Sequence, residues 1–215
     1  MSDRGETTVG ERPQTVEVKL APEARELNNL NTYIILVTEA IEKALPIKER
    51  LVLPEGEFLR KKEFHVTALG FGTKDEIKEM VEATSERGEN LIQKINEILS
   101  AIDFSFTIDL NSVRFVHNKD YDANAVLTKT GRAAFESEYT ITIDVNMPGM
   151  NEFYDRMREE VGLDLGQPAT HVTLYIKQNG PATGMGIAIT DLEGQIRGDV
   201  LPRIECKSLS PNILK

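Results

Sequence analysis

The stretch 168–177 reads P-A-T-H-V-T-L-Y-I-K and has a near copy upstream at 63–71, E-F-H-V-T-A-L-G-F. Each places a histidine two residues before a threonine, within β-branched and apolar residues bounded by Gly, Pro or charge, and that pattern predicts a buried strand. Side chains of a strand alternate between its faces. His65 and Thr67 are therefore expected on one face with Leu69 and Phe71, and His171 and Thr173 on one face with Tyr175 and Lys177. The chain has three histidines, and two of them lie in this repeated pattern.

Outward from the second copy, 139–145, Y-T-I-T-I-D-V, alternates as a strand. Pro148 and Gly149 follow it, and Phe153, Met157 and Val161 mark a helix ended by Gly162. Upstream of the first copy, 15–20, T-V-E-V-K-L, alternates as a half-buried strand, and Pro22 suits the first turn of a helix. Leu27, Leu30, Ile34, Val37, Ile41 and Leu45 recur at steps of three and four, which predicts a helix over 23–45 closed by Pro46. The run 32–37 is β-branched enough to be a strand instead, but the stripe favours helix. The order strand, helix, histidine strand thus occurs twice, over 15–71 and 139–177. The expected fold is α+β: a bilobal duplicated unit of antiparallel sheets with helices packed outside and the two His-x-Thr strands lining a central cleft.

The rest of the chain is read around that frame. The segment 51–62 is a mixed connection ending in the basic triplet Arg60, Lys61 and Lys62. Thr73 with Glu76 forms a capping-box signature for a helix to about 84. A break follows at 85–88, and then a second helical stripe of Leu91, Ile92, Ile95, Ile98 and Leu99. Strands are predicted over 104–110, 113–116 and 125–128, the last two separated by the polar turn H-N-K-D-Y-D-A-N, and over 185–189 and 200–206. Residues 1–13 are polar, without the apolar core of a signal peptide, and are expected to be a disordered lead-in. Residues 14–215 are expected to form a single bilobal domain with motif lobes at about 15–71 and 139–190.

Composition narrows the function classes. A 215-residue chain with 40% hydrophobic residues can bury a sizeable core. Its net charge of -10 argues against a protein that tracks long nucleic acid by its overall field, and remains compatible with a small nucleotide or an RNA end held by a local basic patch. Cys206 is the single cysteine, so no disulfide framework or cysteine zinc site is expected, which fits a reducing compartment. The longest apolar run, 33–37, is far short of a membrane span, and a cytoplasmic protein with no membrane partner is expected.

The segments F-H-V-T-A-L at 64–69 and T-H-V-T-L-Y at 170–175 resemble the two-histidine (2H) phosphoesterase superfamily, whose mark is a pair of His-x-Thr/Ser motifs on strands of two related lobes. F-H-V-T-A-L-G-F-G is further similar to the first-motif segment of its RNA 2′,3′-cyclic phosphodiesterase and 2′-5′ RNA ligase-like branch. The helix over 151–161 with its exit G-L-D-L-G-Q-P-A-T-H-V-T looks like that branch's approach to the second motif. The resemblance implies a metal-independent hydrolase that needs no cofactor and acts on a 2′,3′-cyclic phosphate or a 2′-5′ linkage of a nucleotide or RNA end. Its catalytic residues would be His65, His171, Thr67 and Thr173.

Those residue types suit the chemistry. One imidazole takes a proton from water and the other gives one to the leaving ribose oxygen, flanking phosphorus for in-line displacement, while the threonine hydroxyls donate to its non-bridging oxygens. Which histidine is base and which is acid stays open. Strand alternation adds Tyr175 or Phe71 as a ring for stacking a base and Lys177 to balance phosphate charge. The basic triplet Arg60, Lys61 and Lys62 is a candidate to meet a longer RNA end.

Two alternatives stand beside this reading: a phosphodiesterase of a short cyclic or 2′-5′ oligonucleotide signal, and a non-catalytic nucleotide- or RNA-binding module. His117 lacks the motif context and reads as a strand-end or loop residue. Asp120 and Asp122 lack the order of an EF-hand, the glycines near 70 and 184 are misplaced for a phosphate loop, and three histidines without a neighbouring His or Cys argue against zinc.

Overall fold

The computed structural model describes residues 15–18, 33–69, 85–119, 138–165, 167, 169–177 and 204–214. Their strands are β1 (Thr15–Val18), β2 (Tyr33–Leu36), β3 (Arg50–Leu53), β4 (Gly56–Arg60), β5 (His65–Leu69), β6 (Phe106–Asn118), β7 (Tyr139–Asn146), β8 (His171–Lys177) and β9 (Ile204–Ser208). Their helices are α1 (Thr38–Ala44), α2 (Ser85–Ala101) and α3 (Pro148–Arg156), the last continued by a π-turn over Met157–Val161. One sheet runs β1-β6-β7-β8-β4-β3, with β9 also on β6, and β2 with β5 forms a second. The described pairings are antiparallel, so the fold is α+β.

Several sequence expectations change. The apolar stripe over 23–45 is not one helix: 33–36 is a strand, and α1 begins only at Thr38. The β-branched run satisfies its backbone groups against β5, a partner remote in sequence, whereas Val37, Ile41 and Leu45 keep helical spacing and are buried. Over 51–62 the expected connection is the hairpin of β3 and β4, whose turn uses Gly56 at φ 132. The helix α2, described over Ser85–Ala101, runs through the expected break at 85–88. The strands expected at 104–110 and 113–116 are the single β6, whose register against β7 shifts between Ile108 and Val113. Of the closing strand expected over 200–206, the described part is in β9, which runs on to Ser208. The readings at 1–13, 73–84, 125–128, 185–189 and of Phe71 lie outside the described residues. Among the described residues no helix is long and apolar enough to cross a membrane.

Cross-strand partners share a face of a sheet, and this sorts the large sheet into two unlike surfaces. One carries Phe58, Phe115, Tyr139 and Tyr175; Phe115 and Tyr139 approach to 5.1 Å between ring centres, and Phe58 meets both edge-on. The other carries a polar row across three strands. His171 stands opposite Asp144, Thr173 opposite Thr142, and Thr142 opposite Arg114.

The second sheet is tied to the rest through α3 and β8. The Tyr154 hydroxyl, buried in the core, donates to the Ala68 carbonyl of β5 at 2.5 Å. Burial of that phenol raises its pKa well above the ordinary value. Lys94 of α2 and Arg156 of α3 both engage Glu160, at 2.7 and 2.6 Å. Gly149 at the start of α3 lies so close to the chain at Ile102 and Asp103 that a side chain there would collide with the Asp103 carbonyl.

Candidate functional site

Both histidine motifs open a strand, and both strands have the same burial alternation. In β5, His65 and Thr67 are half-buried around the fully buried Val66; in β8, His171 and Thr173 are half-buried around the fully buried Val172. Valine and the flanking apolar residues anchor each strand in the core, which leaves the histidine and threonine on the opposite, accessible side.

The strands are also seated alike. His65 is opposite Leu36 of β2, and His171 opposite Asp144 of β7, and in each case a helix follows the partner strand. The residue before each histidine is bonded to the chain just past that partner position. Val37 N–H donates to the Phe64 carbonyl at 2.9 Å, and Val145 N–H to the Thr170 carbonyl at 3.1 Å. A threonine hydroxyl reinforces each junction: Thr38 accepts from Phe64 N–H at 2.9 Å, and Thr170 donates to the Val145 carbonyl at 2.7 Å. β1, where the sequence order placed the start of the first expected unit, pairs with β6.

β5 and β8 adjoin, and the chain between β4 and β5 joins them. β4 runs antiparallel to β8 with Phe58, Leu59 and Arg60 opposite Lys177, Ile176 and Tyr175. The next residue, Lys61, donates its N–H to the Leu174 carbonyl at 2.9 Å. Glu63 follows, and its carboxylate is 3.5 Å from His65 Nδ1.

His171 Nδ1 is 2.9 Å from the Ala169 carbonyl. A carbonyl only accepts, so Nδ1 carries the hydrogen and the neutral ring presents its lone pair at Nε2. Burial lowers the proton affinity of His171 and the charge of Lys61 adds to that, while the Ala169 bond and Asp144 act the other way. Asp144 is held by a two-point contact from Arg114, whose Nε lies 3.0 Å from Oδ2. Thr142, next to Asp144 on this face of β7, is fully buried, and among the described residues its hydroxyl has no hydrogen-bond partner.

The expected shared face beyond Thr173 is not kept. Thr142 and Ile141 are consecutive, yet they stand opposite Thr173 and Tyr175, so Leu174 is an extra residue and β8 has a bulge there. The bulge turns Tyr175 to the aromatic side, where it is fully buried and offers no ring face to a base. Burial also raises its phenol pKa, with the Lys48 backbone pulling the other way. Lys177 lies on that side too, its ammonium 4.5 Å from the Tyr139 ring centre and 3.3 Å from Glu138. Arg60 contacts Glu42 and Glu49 and covers the Phe64 ring. His117 is a strand residue of β6, stacked on Tyr139 at 4.4 Å. Sequence reasoning passed over Thr142, Asp144 and Arg114, although the T-I-T-I-D-V alternation carried the signal for the first two: a polar series on one side of a strand whose other side is apolar.

A comparison of the chain with protein-family models, with curated proteins and with solved structures finds no match in any of the three.

Proposed function

We propose that this protein is a metal-independent phosphodiesterase that hydrolyses a 2′,3′-cyclic phosphate or a 2′-5′ linkage of a nucleotide or RNA end, with the two His-x-Thr strands lining a shared cleft as halves of a duplicated unit. The observation that carries the reading is the common construction of the two motifs: same strand position, same burial alternation, and the same bond fixing the residue before each histidine.

In the proposed reaction His171 is the base. Its lowered proton affinity keeps it neutral at pH 7, and Nε2 holds the lone pair that takes a proton from water as the oxygen attacks phosphorus. His65 gives its proton to the ribose oxygen as the P–O bond breaks. Thr67 and Thr173 donate to the non-bridging oxygens, on which negative charge builds.

The test is a panel of 2′,3′-cyclic nucleotides, 2′-5′ oligonucleotides and cyclic dinucleotides, followed by phosphorus NMR in EDTA. Turnover with a bell-shaped pH profile, lost in both His65→Ala and His171→Ala, supports the reading. Turnover by either variant at the wild-type rate overturns it. Tight binding with no conversion of any member would make the chain a nucleotide-binding module instead.

A further inference from the structure

The phosphoryl group of the proposed substrate brings at least one negative charge into the polar face of the sheet. Arg114, a cation of that face, is already held by Asp144 in a two-point contact. Lys177, to which strand alternation pointed, and Arg60 of the basic triplet lie on the aromatic face and are engaged by Glu138 and by Glu42 and Glu49.

Lys61 is placed differently. Arg60 shares a face with its cross-strand partner Tyr175, which the bulge turns away from Thr173. One residue past the end of β4 the pairing with β8 continues through the Lys61 N–H and the alternation reverses, so Lys61 projects on the side of Thr173 and His171. Its backbone is fixed there by the bond from its N–H to the Leu174 carbonyl at 2.9 Å. The residue is half-buried at the seam where β4 leaves β8 and leads into β5. Its ammonium is near enough to lower the proton affinity of His171, and desolvation in turn lowers its own, with Glu63 opposing.

From this placement we infer that Lys61 is the phosphate-binding cation of the site, contacting a non-bridging oxygen beside Thr173. The inference deepens the phosphodiesterase reading and rests on it for the identity of the substrate; anion binding can be tested without turnover. A lysine at this position neutralises the incoming charge and adds to the burial that keeps His171 in its neutral form before substrate arrives. Once phosphate binds, the repulsion between Lys61 and a protonated His171 is cancelled, so the ring is better able to keep the proton it takes from water.

The experiment uses the full chain with inorganic phosphate as probe, read at the His171 ring resonances by NMR, in wild type, Lys61→Met and Lys61→Arg. In the wild type phosphate shifts these resonances and raises the pH at which His171 titrates. The Met variant, which keeps the chain's bulk, should bind phosphate on the order of tenfold to a hundredfold more weakly, as expected for loss of one charge-assisted hydrogen bond. Without phosphate it should titrate at higher pH than wild type, because Lys61 no longer repels the proton; Asp144, Arg114 and Glu63 remain. The Arg variant should restore both properties in part. Equal phosphate binding in wild type and Lys61→Met, or no response of His171 to phosphate in the wild type, overturns the inference. Loss of binding in the Met variant together with no turnover of any diester leaves the cation role standing and defeats the catalytic reading alone, so the two failures are distinct.

Discussion

Replacing Thr142 by Val should make the protein more stable. Thr142 has no exposed surface, and among the described residues its hydroxyl finds no partner. A buried hydroxyl without a partner carries a desolvation penalty of roughly 1–3 kcal/mol. Valine has nearly the same shape and suits the centre of a strand, so the penalty should be relieved without a cavity. An increase of about 1–2 kcal/mol is expected, which for a chain of this size raises Tm by roughly 2–8 °C. Urea denaturation followed by circular dichroism measures it, with an unchanged slope showing that the surface exposed on unfolding is the same. Thr140→Val is the companion: Thr140 is equally buried, its hydroxyl is also without a partner among the described residues, and it stands opposite Ile176. Both variants should gain stability, but only Thr142, directly across from Thr173, should slow turnover. A Thr142→Val protein that unfolds at the same or lower urea than wild type would refute the reasoning, because it would mean the hydroxyl is satisfied in solution.

Other expectations are as direct. His171→Ala and His65→Ala should each reduce kcat by about 10²- to 10⁴-fold, the usual contribution of a positioned acid or base, as measured in EDTA. The folded state of His171 binds a proton less readily than the unfolded chain; between its depressed folded value and the ordinary value of about 6.5 the unfolded state therefore holds more protons, and stability should rise with pH across that window and level off above it. Thermal melts against pH in wild type and His171→Gln check this, the variant losing that slope. Gly149→Ala should destabilise strongly, since its new methyl would meet the Asp103 carbonyl and lie 2.8 Å from Ile102 Cγ2; a Tm equal to wild type would contradict the packing described. Tyr154→Phe leaves the Ala68 carbonyl without its 2.5 Å donor and should cost roughly 1–3 kcal/mol, with faster amide exchange in β5 than in β8.

What was legible in the sequence was local. His-x-Thr in a β-branched setting identified β5 and β8, and a clean alternation identified β7, because both patterns depend on residues two apart. The stripe from Leu27 to Leu45 misled at Tyr33 to Leu36, where the same apolar residues fit a helix face and a strand; the choice was made by β5, some thirty residues on. Among the described residues the helix is α1 from Thr38, where Ile41 and Leu45 keep the stripe. Alternation also failed at Tyr175. The bulge at Leu174 is a property of the pairing with β7, and no single strand reveals it. That one extra residue exchanged Lys177 for Lys61 as the cation beside His171. Arg114 and Asp144 could be joined only once the register of β6 on β7 was known, because the shift between Ile108 and Val113 decides which residues meet.

The most direct measurement is a crystal structure with a nucleoside 2′,3′-cyclic vanadate, which mimics the five-coordinate phosphorus of in-line attack. The account predicts the vanadium between the rings, with Nε2 of His171 and a ring nitrogen of His65 each within hydrogen-bond distance of opposite apical oxygens, Thr67 and Thr173 on the equatorial oxygens, and Lys61 on one of them. Vanadate bound with both imidazoles on one side, or held elsewhere on the surface with the two motifs untouched, would contradict it.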